Sequence, residues 1–330
     1  MNFSKRFIAL ALAFVLAFAL AEQLSISAEE NNVAPTDWMA EVNGDMSISS
    51  ISIPGTHDSA TQYITPQYFL RCQNTDFETQ LNNGIRYLDI RVNLEVDKEG
   101  DARLQFIHNF GKCRVGSSWF SDKLYLEDCL DTVYTFLDEH PTETVIFVVK
   151  AEKVSEEDLP LFEDTFFKII NQNRKMWYKE NEIPTLDEVR GKIVLGTRFD
   201  DVNDYGESEM GLYLHWDEQN NKEMVDIPYE IYMINDDEAL WVQDHYKYNM
   251  TSKFDAVVDD LENCQADDNT LSLNFLSTSG SGTLSHPKKY AKYINSKFME
   301  YELKPKTCYG VVIFDFANKE LAEKIYSTNF

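Results

Sequence analysis

The chain is short of basic residues, and beyond its N-terminus it has no long apolar run. It carries 30 Lys and Arg against 56 Asp and Glu in 330 residues, a formal net charge of −26. A surface of this sign repels nucleic acid and anionic bilayers, so we predict no nucleic-acid partner and no lipid docking through basic patches. Past Leu20, no apolar stretch approaches the roughly 20 residues that cross a bilayer, so we predict no integral membrane segment in the mature chain.

Cysteines are also few, and their spacing is uninformative for metals. The five do not form a C-x-x-C pair or a close cluster with histidine, so we predict no metal site. An odd count leaves at least one thiol unpaired. Cys113 and Cys129 flank a loop-like insertion, where a local disulfide would fit in an oxidising compartment.

The N-terminus has the pattern of a secretory signal peptide. Lys5 and Arg6 precede an apolar run over residues 7–20, and Ala19 to Ala21 form an A-x-A cleavage site. We therefore predict a signal peptide over residues 1–21, secretion to the periplasm or medium, and a flexible lead-in over residues 22–36. Residues 37–330 are then one domain, a length that a single α/β barrel routinely has.

Apolar periodicity predicts alternating strands and helices. Strands are expected near residues 46–53, 85–92, 103–107, 144–149, 192–196 and 310–314, and helices over 127–139 and 159–171. The polar segment 200–221 reads as a long surface loop. Such alternation predicts an α/β fold with a parallel sheet under helical cover. Periodicity does not separate a closed barrel from an open sheet, and both place functional groups at the carboxyl ends of their strands.

Three of the apolar runs end on chemically usable side chains. The first, IPGTHDS, ends on His57 and Asp58; the second, GIRYLDIR, carries Asp89 and Arg91; the third ends on His108. Two residues that lie two apart on a strand face the same side, so Asp89 and Arg91 are expected together. Two histidines and a guanidinium suit acid/base cleavage of a phosphodiester, in which one imidazole removes a proton and the other supplies one.

These motifs resemble the catalytic X domain of phosphatidylinositol-specific phospholipase C, most closely that of the bacterial secreted enzymes. The resemblance continues through residues 145–150, 191–195, 242–246 and 311–316, and spans roughly residues 37–320. It implies a distorted TIM-like (β/α) barrel. It also implies a phosphatidylinositol diacylglycerol-lyase, in which the inositol 2-hydroxyl attacks phosphorus and forms inositol 1,2-cyclic phosphate.

The same resemblance assigns roles to individual residues. His57 is expected to be the general base, oriented by Asp315, and His108 the general acid, assisted by Asp58. Arg91 is expected to bind the phosphate, with Asp89 holding the polar network around it. Residues expected to grip the inositol ring are Lys150, Arg198, Asp244 and Tyr246.

The resemblance further implies chemistry without calcium or any other cofactor. Eukaryotic members place acidic calcium ligands near the position of Arg91 and have Asn after the first histidine, whereas this chain has Asp58. A guanidinium stays protonated and offers several donors, so it replaces the charge of the metal. The expected partner is phosphatidylinositol or a GPI-type lipid at a membrane surface, bound by a monomer.

Two other function classes stay open on the sequence. One is a metal-dependent glycerophosphodiesterase or sphingomyelinase D-like enzyme, which also pairs two histidines but needs acidic metal ligands near the first. The other is a non-catalytic inositol- or glycan-binding protein, which would keep the ring-binding residues without the acid/base pair. Arg91 argues against the former, and the presence of both His57 and His108 argues against the latter.

Overall fold

Parallel strands form the centre of this computed structural model, which describes residues 33–118, 120–282 and 286–330. The predicted signal peptide, residues 1–21, lies outside the described residues, as does most of the predicted lead-in. Residues Pro35–Phe330 form one compact unit. Within the described ranges, no helix is both long enough and apolar enough to span a membrane.

The strands are β1 Ile53–Thr56, β2 Ile64–Thr65, β3 Tyr87–Val96, β4 Ala102–His108, β5 Gly111–Cys113, β6 Val145–Ala151, β7 Trp177–Tyr178, β8 Ile193–Arg198, β9 Leu212–Tyr213, β10 Glu230–Met233, β11 Ala239–Gln243, β12 Thr270–Phe275 and β13 Val311–Phe314. The helices are α1 Gln67–Leu70, α2 Phe77–Asn82, α3 Leu126–Glu139, α4 Leu159–Ile170, α5 Leu186–Val189, α6 Glu207–Met210, α7 Met250–Asn263, α8 Pro287–Glu300 and α9 Lys319–Tyr326.

Seven strands pair in parallel in the order β11, β12, β13, β1, β3, β6, β8, and β9 continues the row beside β8. Helical cover on the outside and side chains within bury both faces, and Val145 to Val149 are fully buried. The α/β, TIM-like architecture is therefore confirmed. Antiparallel strands β4, β5 and β10 distort it.

Backbone pairing does not close the row of strands. Among the described residues, β9 ends the row on one side and β10, antiparallel to β11, ends it on the other, and no ladder joins the two. Gln219, on the chain that leaves β9, contacts the end of β11: its Nε2 donates to the carbonyl of Val242 at 3.2 Å, and its Oε1 accepts from the amide of Asp244 at 2.6 Å. Segment 200–221, predicted to be a surface loop, is thus partly structural and contains α6 and β9.

The predicted helices agree closely with α3 and α4. Helix α3 buries Leu126, Leu130, Val133 and Leu137, which recur at helical spacing, and the Asp128 carboxylate accepts the Tyr125 amide at its first turn. Pro141 follows shortly after its end, where a helix does not continue.

The predicted strand over residues 46–53 is wrong in its first part, because Ile48–Ser50 form a 3₁₀ turn and β1 begins at Ile53. The hydroxyls of Ser47 and Ser49 donate to the carbonyls of Asp268 and Asp267, at 3.2 and 2.6 Å. The alternation of Ser and Ile is therefore that of a buried turn. The disulfide between Cys113 and Cys129 is also absent, since all five cysteines are free and these two thiols are buried.

A buried ion pair lies at the amino ends of the strands, opposite the predicted site. Arg86 precedes β3 and Glu143 precedes β6; both side chains are fully buried, with Nη2 and Oε2 2.8 Å apart. Arg86 also donates to the carbonyls of Pro35 and Thr36 at 3.1 and 2.9 Å. The guanidinium thus ties the start of the compact unit to the barrel.

Candidate active site

The backbone turns sharply where three strands deliver predicted catalytic side chains. His57 follows β1, His108 ends β4 and Asp315 follows β13. The next residue in each case lies in the left-handed region: Asp58 (φ 45°), Asn109 (φ 55°) and Phe316 (φ 51°). Such conformations are costly for non-glycine residues and concentrate at functional sites. They end each strand and leave its last polar side chain facing the cavity.

His57 and Asp315 form a close pair. The Nδ1 of His57 lies 2.8 Å from Oδ1 of Asp315, so this nitrogen carries its proton toward the carboxylate. The other ring nitrogen, Nε2, is then the one free to exchange a proton. Burial lowers the pKa of His57, but the charges of Asp58 and Asp315 outweigh it and raise the pKa to about 9.

Asp58 lies between the two histidines. Its side chain is 1% exposed, and Oδ2 is 3.3 Å from Nε2 of His57 and 3.2 Å from Nε2 of His108. The angles make neither contact a hydrogen bond, so this buried oxygen has none. The imidazole rings meet edge to face, with centroids 6.1 Å apart. One carboxylate therefore serves both rings.

His108 is fixed by the backbone. Its Nδ1 donates to the carbonyl of Leu70 at 2.7 Å, because a carbonyl oxygen only accepts. Nε2 is consequently the ring nitrogen without a backbone partner, and it faces Asp58. Both histidines therefore direct Nε2 toward the same place.

Arg91 is held by two carboxylates. Its Nε and Nη2 donate to Oδ2 of Asp89 at 3.1 and 3.0 Å, which confirms that these residues share one face of β3. Nε also lies 3.4 Å from Oδ1 of Asp58. Burial raises the pKa of Asp89, but Arg91 and then His57 reverse this and hold it well below its usual range. Asp89 thus stays ionised and fixes the guanidinium.

Three cations form a row across neighbouring strands. Arg91 on β3 is in register with Lys150 on β6, which is in register with Arg198 on β8. Burial, and then the charges of Arg91 and Arg198, lower the pKa of Lys150. Glu152 lies 3.6 Å from the Lys150 ammonium and offsets part of this repulsion. The row gives one wall of the barrel mouth a positive character within an acidic protein.

Next to the row of cations, the wall of the cavity is polar and aromatic. The Arg198 guanidinium lies 3.4 Å from the ring centroid of Trp216, and the Trp216 indole donates to Oδ2 of Asp244 at 3.2 Å. The hydroxyl of Tyr246 donates to Glu218 at 2.7 Å. Trp216 thereby joins two of the four predicted ring-binding residues.

These side chains surround a cavity of about 650 Å³. Eight of the ten predicted site residues line it: His57, Arg91, His108, Lys150, Arg198, Asp244, Tyr246 and Asp315. The other two, Asp58 and Asp89, lie buried behind them at 2% and 1% exposure. The structure thus brings all ten predicted residues into one cluster at the carboxyl ends of the strands.

Cys72, Glu152 and Trp216 are among the lining residues that escaped the sequence analysis. Glu152 lies two residues beyond Lys150 on the same strand, a spacing that places both on one face. Trp216 lies in the segment read as a loop, and Cys72 belongs to no recognisable motif. The ligand atoms of His57, Asp58 and Cys72 lie within 4.8 Å of one another. Burial, and then the charges of Asp315 and Asp58, raise the pKa of the Cys72 thiol.

Comparison with known proteins agrees with this geometry. The family model for the X domain of phosphatidylinositol-specific phospholipase C matches residues 51–199. The chain is 26% identical over 304 residues to a 1-phosphatidylinositol phosphodiesterase of Staphylococcus aureus, covering 86% of this chain and 89% of that one. It is also 26% identical over 316 residues to the Listeria monocytogenes protein of the same name, covering 91% and 87%.

Solved structures show the same fold. The phosphatidylinositol-specific phospholipase C of S. aureus superposes with a TM-score of 0.72 at 24% identity, covering 90% of this chain and 98% of that one. The enzyme from L. monocytogenes superposes with a TM-score of 0.67 at 24% identity, covering 90% and 100%. The family model, the bacterial relatives and the fold agree, and the chain resembles bacterial phosphatidylinositol-specific phospholipases C over most of its length.

Proposed function

We propose that this protein is a phosphatidylinositol-specific phospholipase C that cleaves phosphatidylinositol to diacylglycerol and inositol 1,2-cyclic phosphate. The observation that carries the proposal is the placement of His57 and His108. Each has its Nδ1 committed to a partner and its Nε2 directed at Asp58, at the base of a cavity lined by Arg91. The names of the bacterial relatives support the same activity.

In this mechanism, Nε2 of His57 takes the proton of the inositol 2-hydroxyl as the oxygen attacks phosphorus. Asp315 stabilises the imidazolium that forms, because its carboxylate already accepts from Nδ1 at 2.8 Å. His108 donates from Nε2 to the glycerol oxygen that leaves. Asp58 Oδ2 lies 3.2 Å from that nitrogen and faces the proton that is transferred.

Arg91 stabilises the charge that develops on the phosphoryl oxygens. Asp89 and Asp58 hold its guanidinium in place before substrate binds, so little reorganisation is needed during the reaction. A fixed guanidinium supplies charge and forked donors, the role that a calcium ion has in other members of the family. The reaction therefore proceeds without calcium.

The inositol ring binds between the row of cations and the aromatic wall. Lys150 and Arg198 donate to ring hydroxyls, and Asp244 accepts from them. Tyr246 packs against the apolar face of the ring. Since Asp244 and Arg198 are joined through Trp216, they act as one preorganised unit.

The mouth of the cavity suits contact with lipid through aromatic side chains. Phe69 and Phe110 line the cavity, Phe110 is 66% exposed, and Tyr68 beside Phe69 is 69% exposed. With a net charge of −26, attraction to an anionic bilayer is not the source of binding. Aromatic burial at the interface is the remaining route. We also propose that residues 1–21 direct export, which places a monomeric enzyme on the lipid outside the cell.

The decisive experiment gives purified protein phosphatidylinositol in neutral detergent micelles with excess EDTA. We expect diacylglycerol and inositol 1,2-cyclic phosphate as first products, with His57→Ala and an exposed Glu139→Gln variant as inactive and active controls. Activity abolished by EDTA and restored by calcium would contradict the metal-free mechanism. Direct release of inositol 1-phosphate would contradict the internal nucleophile, and cleavage of glycerophosphocholine or sphingomyelin instead would favour the metal-dependent alternative.

A further inference from the structure

The catalytic cavity also presents the ligand set of a transition-metal site. His57, Asp58 and Cys72 offer a nitrogen, an oxygen and a sulfur atom that all lie within 4.8 Å of one another. Imidazole, carboxylate and thiolate are the three protein ligands that Zn²⁺ takes. The three residues do not form a zinc-binding sequence motif. The fold brings their ligand atoms together.

One atom in this cluster has no hydrogen bond. Asp58 Oδ2 is buried and unbonded, although Nε2 of His57 and Nε2 of His108 lie 3.3 and 3.2 Å away. A buried carboxylate oxygen without a partner is costly. An ion bound in the space between Asp58 Oδ2 and the two Nε2 atoms would give this carboxylate oxygen a partner.

The distances suit tetrahedral coordination. Zn²⁺ bonds of about 2.0 to 2.2 Å to nitrogen and oxygen place neighbouring ligand atoms roughly 3.3 to 3.5 Å apart. The two contacts of Asp58 Oδ2 are close to that separation. The Cys72 sulfur lies within 4.8 Å of the other two ligand atoms and must approach them by side-chain rotation to complete the set.

The outer contacts of the histidines are those of metal ligands. A coordinating imidazole donates its second N–H to a carboxylate or a backbone carbonyl, which fixes the ring. His57 does so to Asp315 at 2.8 Å and His108 to the carbonyl of Leu70 at 2.7 Å. Both rings therefore hold Nε2 ready as a ligand without any rearrangement.

Carboxylates lie on several sides of His57. Asp58, Asp89 and Asp315 are within 4.0 Å of its ring nitrogens, and Arg91 contacts two of these carboxylates. Arg91 approaches Asp58 at Oδ1, 3.4 Å away, and so leaves Oδ2 to face the rings. Cys72 lines the cavity but is 1% exposed; its thiol donates to the carbonyl of Leu70 at 3.6 Å and lies 3.8 Å from Nδ1 of His108.

We propose that His57, Asp58 and Cys72 bind Zn²⁺ as a reversible inhibitor, with the fourth ligand position facing His108. Inhibition rests on the proposed function, because the ion would occupy Nε2 of His57, the nitrogen that takes the proton, and would lie in front of His108. The thiol makes the site selective for borderline and soft ions, since Ca²⁺ takes six or more oxygen ligands. A bound dication also keeps the coordinating thiol deprotonated.

Binding is tested with Co²⁺, which reports thiolate coordination through a near-ultraviolet charge-transfer band. We expect the band in the wild-type protein and in a matched Cys264→Ser variant, whose thiol lies outside the cavity. It should be absent in Cys72→Ala and in Cys72→Ser, and the dissociation constant for Zn²⁺ should rise by at least about tenfold in both. Circular dichroism shows whether each Cys72 variant is folded. If one of the two is misfolded, the other still tests whether Cys72 binds the metal. The band and the Zn²⁺ affinity retained in folded Cys72 variants would overturn the site.

Inhibition is tested separately with phosphatidylinositol in neutral micelles. Zn²⁺ should inhibit the wild-type and Cys264→Ser proteins, EDTA should reverse it, and Cys72→Ala should need at least about ten times more Zn²⁺ for the same effect. Equal inhibition of Cys72→Ala would overturn the proposal. If the protein cleaves no phosphatidylinositol, the proposed function fails while the Co²⁺ spectrum still decides whether the site exists.

Discussion

Asp315 Oδ1 lies 2.8 Å from Nδ1 of His57, although 258 residues separate the two in the chain. They meet because β1 and β13 pair in parallel with Thr56 opposite Phe314, so the next residues on each strand are neighbours. The pairing of the first and last barrel strands therefore brings the proposed base and its proposed orienting carboxylate together. Loss of that pairing would separate them.

This contact predicts the pH dependence of the enzyme. As the base, His57 must be neutral at Nε2, so kcat/KM should rise with pH as this residue, with a pKa of about 9, loses its proton. Asp315→Asn removes one of the two carboxylates that raise this pKa, so the rising limb should move toward neutral pH and the maximum should drop. The measurement is kcat/KM from pH 5 to 10, with Glu139→Gln as the control. An unmoved limb in folded Asp315→Asn would mean that another group sets it.

The roles of the two histidines are separated by the leaving group. His108→Ala should lower turnover of phosphatidylinositol by about 10² to 10⁴. A nitrophenyl inositol phosphate, whose leaving group needs no proton, should restore much of the rate of this variant. His57→Ala should be similarly impaired and should not recover with that substrate. Recovery of His57→Ala instead would reverse the assignment of base and acid.

Arg91→Lys tests whether geometry or charge is required of the cation. Lysine keeps the charge but lacks the fork that contacts Asp89 through both Nε and Nη2. We expect kcat to fall by roughly 10²-fold or more, with a smaller change in KM. The exposed Arg103→Lys serves as the matched control. Arg91→Asp tests the same position for metal: it should respond to calcium only if Asp58 and Asp89 then form a cation site. Full activity of Arg91→Lys would remove the argument for bidentate binding.

The sequence predicted most of this site because its signals are local. Strand ends at His57 and His108 follow from apolar runs, and the spacing of Asp89 and Arg91 places both on one face of β3. The parallel α/β class follows from alternating strands and helices. The ring-binding residues and Asp315 were reached only through the family resemblance, since each is an ordinary polar residue at the end of an apolar run.

What the sequence did not predict depends on contacts between distant segments. Cys72 reaches the cavity because the loop before α2 packs against β13, where the Phe316 amide donates to the Cys72 carbonyl. Trp216 lies in a segment whose polar composition does not reveal the contact between Gln219 and β11. The turn at Ile48 to Ser50 has the alternation of a strand, and only its buried serine contacts show otherwise. None of these leaves a periodic signal.

The ion pair at the opposite end of the barrel predicts a stability effect. Arg86→Met leaves Glu143 buried without its partner, and should lower the free energy of unfolding by about 3 to 5 kcal/mol. The double variant Arg86→Met with Glu143→Leu should recover much of this loss, because no uncompensated charge is left. Urea unfolding of both proteins measures the effect, with the exposed Lys297→Met as a control expected to change little. Equal stability of the single and double variants would show that the Arg86 contacts to Pro35 and Thr36 carry the effect instead.

Trp216 is expected to set substrate affinity without taking part in the chemistry. Its ring lies under the Arg198 guanidinium at 3.4 Å and its indole nitrogen donates to Asp244 at 3.2 Å, so it positions both groups for the inositol ring. A cation–π contact is worth about 0.5 to 2 kcal/mol, and a hydrogen bond to a charged group about 1.5 to 3 kcal/mol.

Replacing Trp216 should therefore raise KM and leave kcat nearly unchanged, since binding contacts made equally in ground and transition states affect KM alone. We expect Trp216→Ala to raise KM by about 10- to 100-fold, because both contacts are lost. Trp216→Phe keeps an aromatic face for Arg198 but loses the donor to Asp244, so its KM should lie between those of the wild type and the alanine variant. Steady-state kinetics on phosphatidylinositol in neutral micelles decide this, with Tyr213→Phe as a nearby aromatic control outside the catalytic cavity. A fall in kcat with unchanged KM would instead place Trp216 among the groups that act in the transition state.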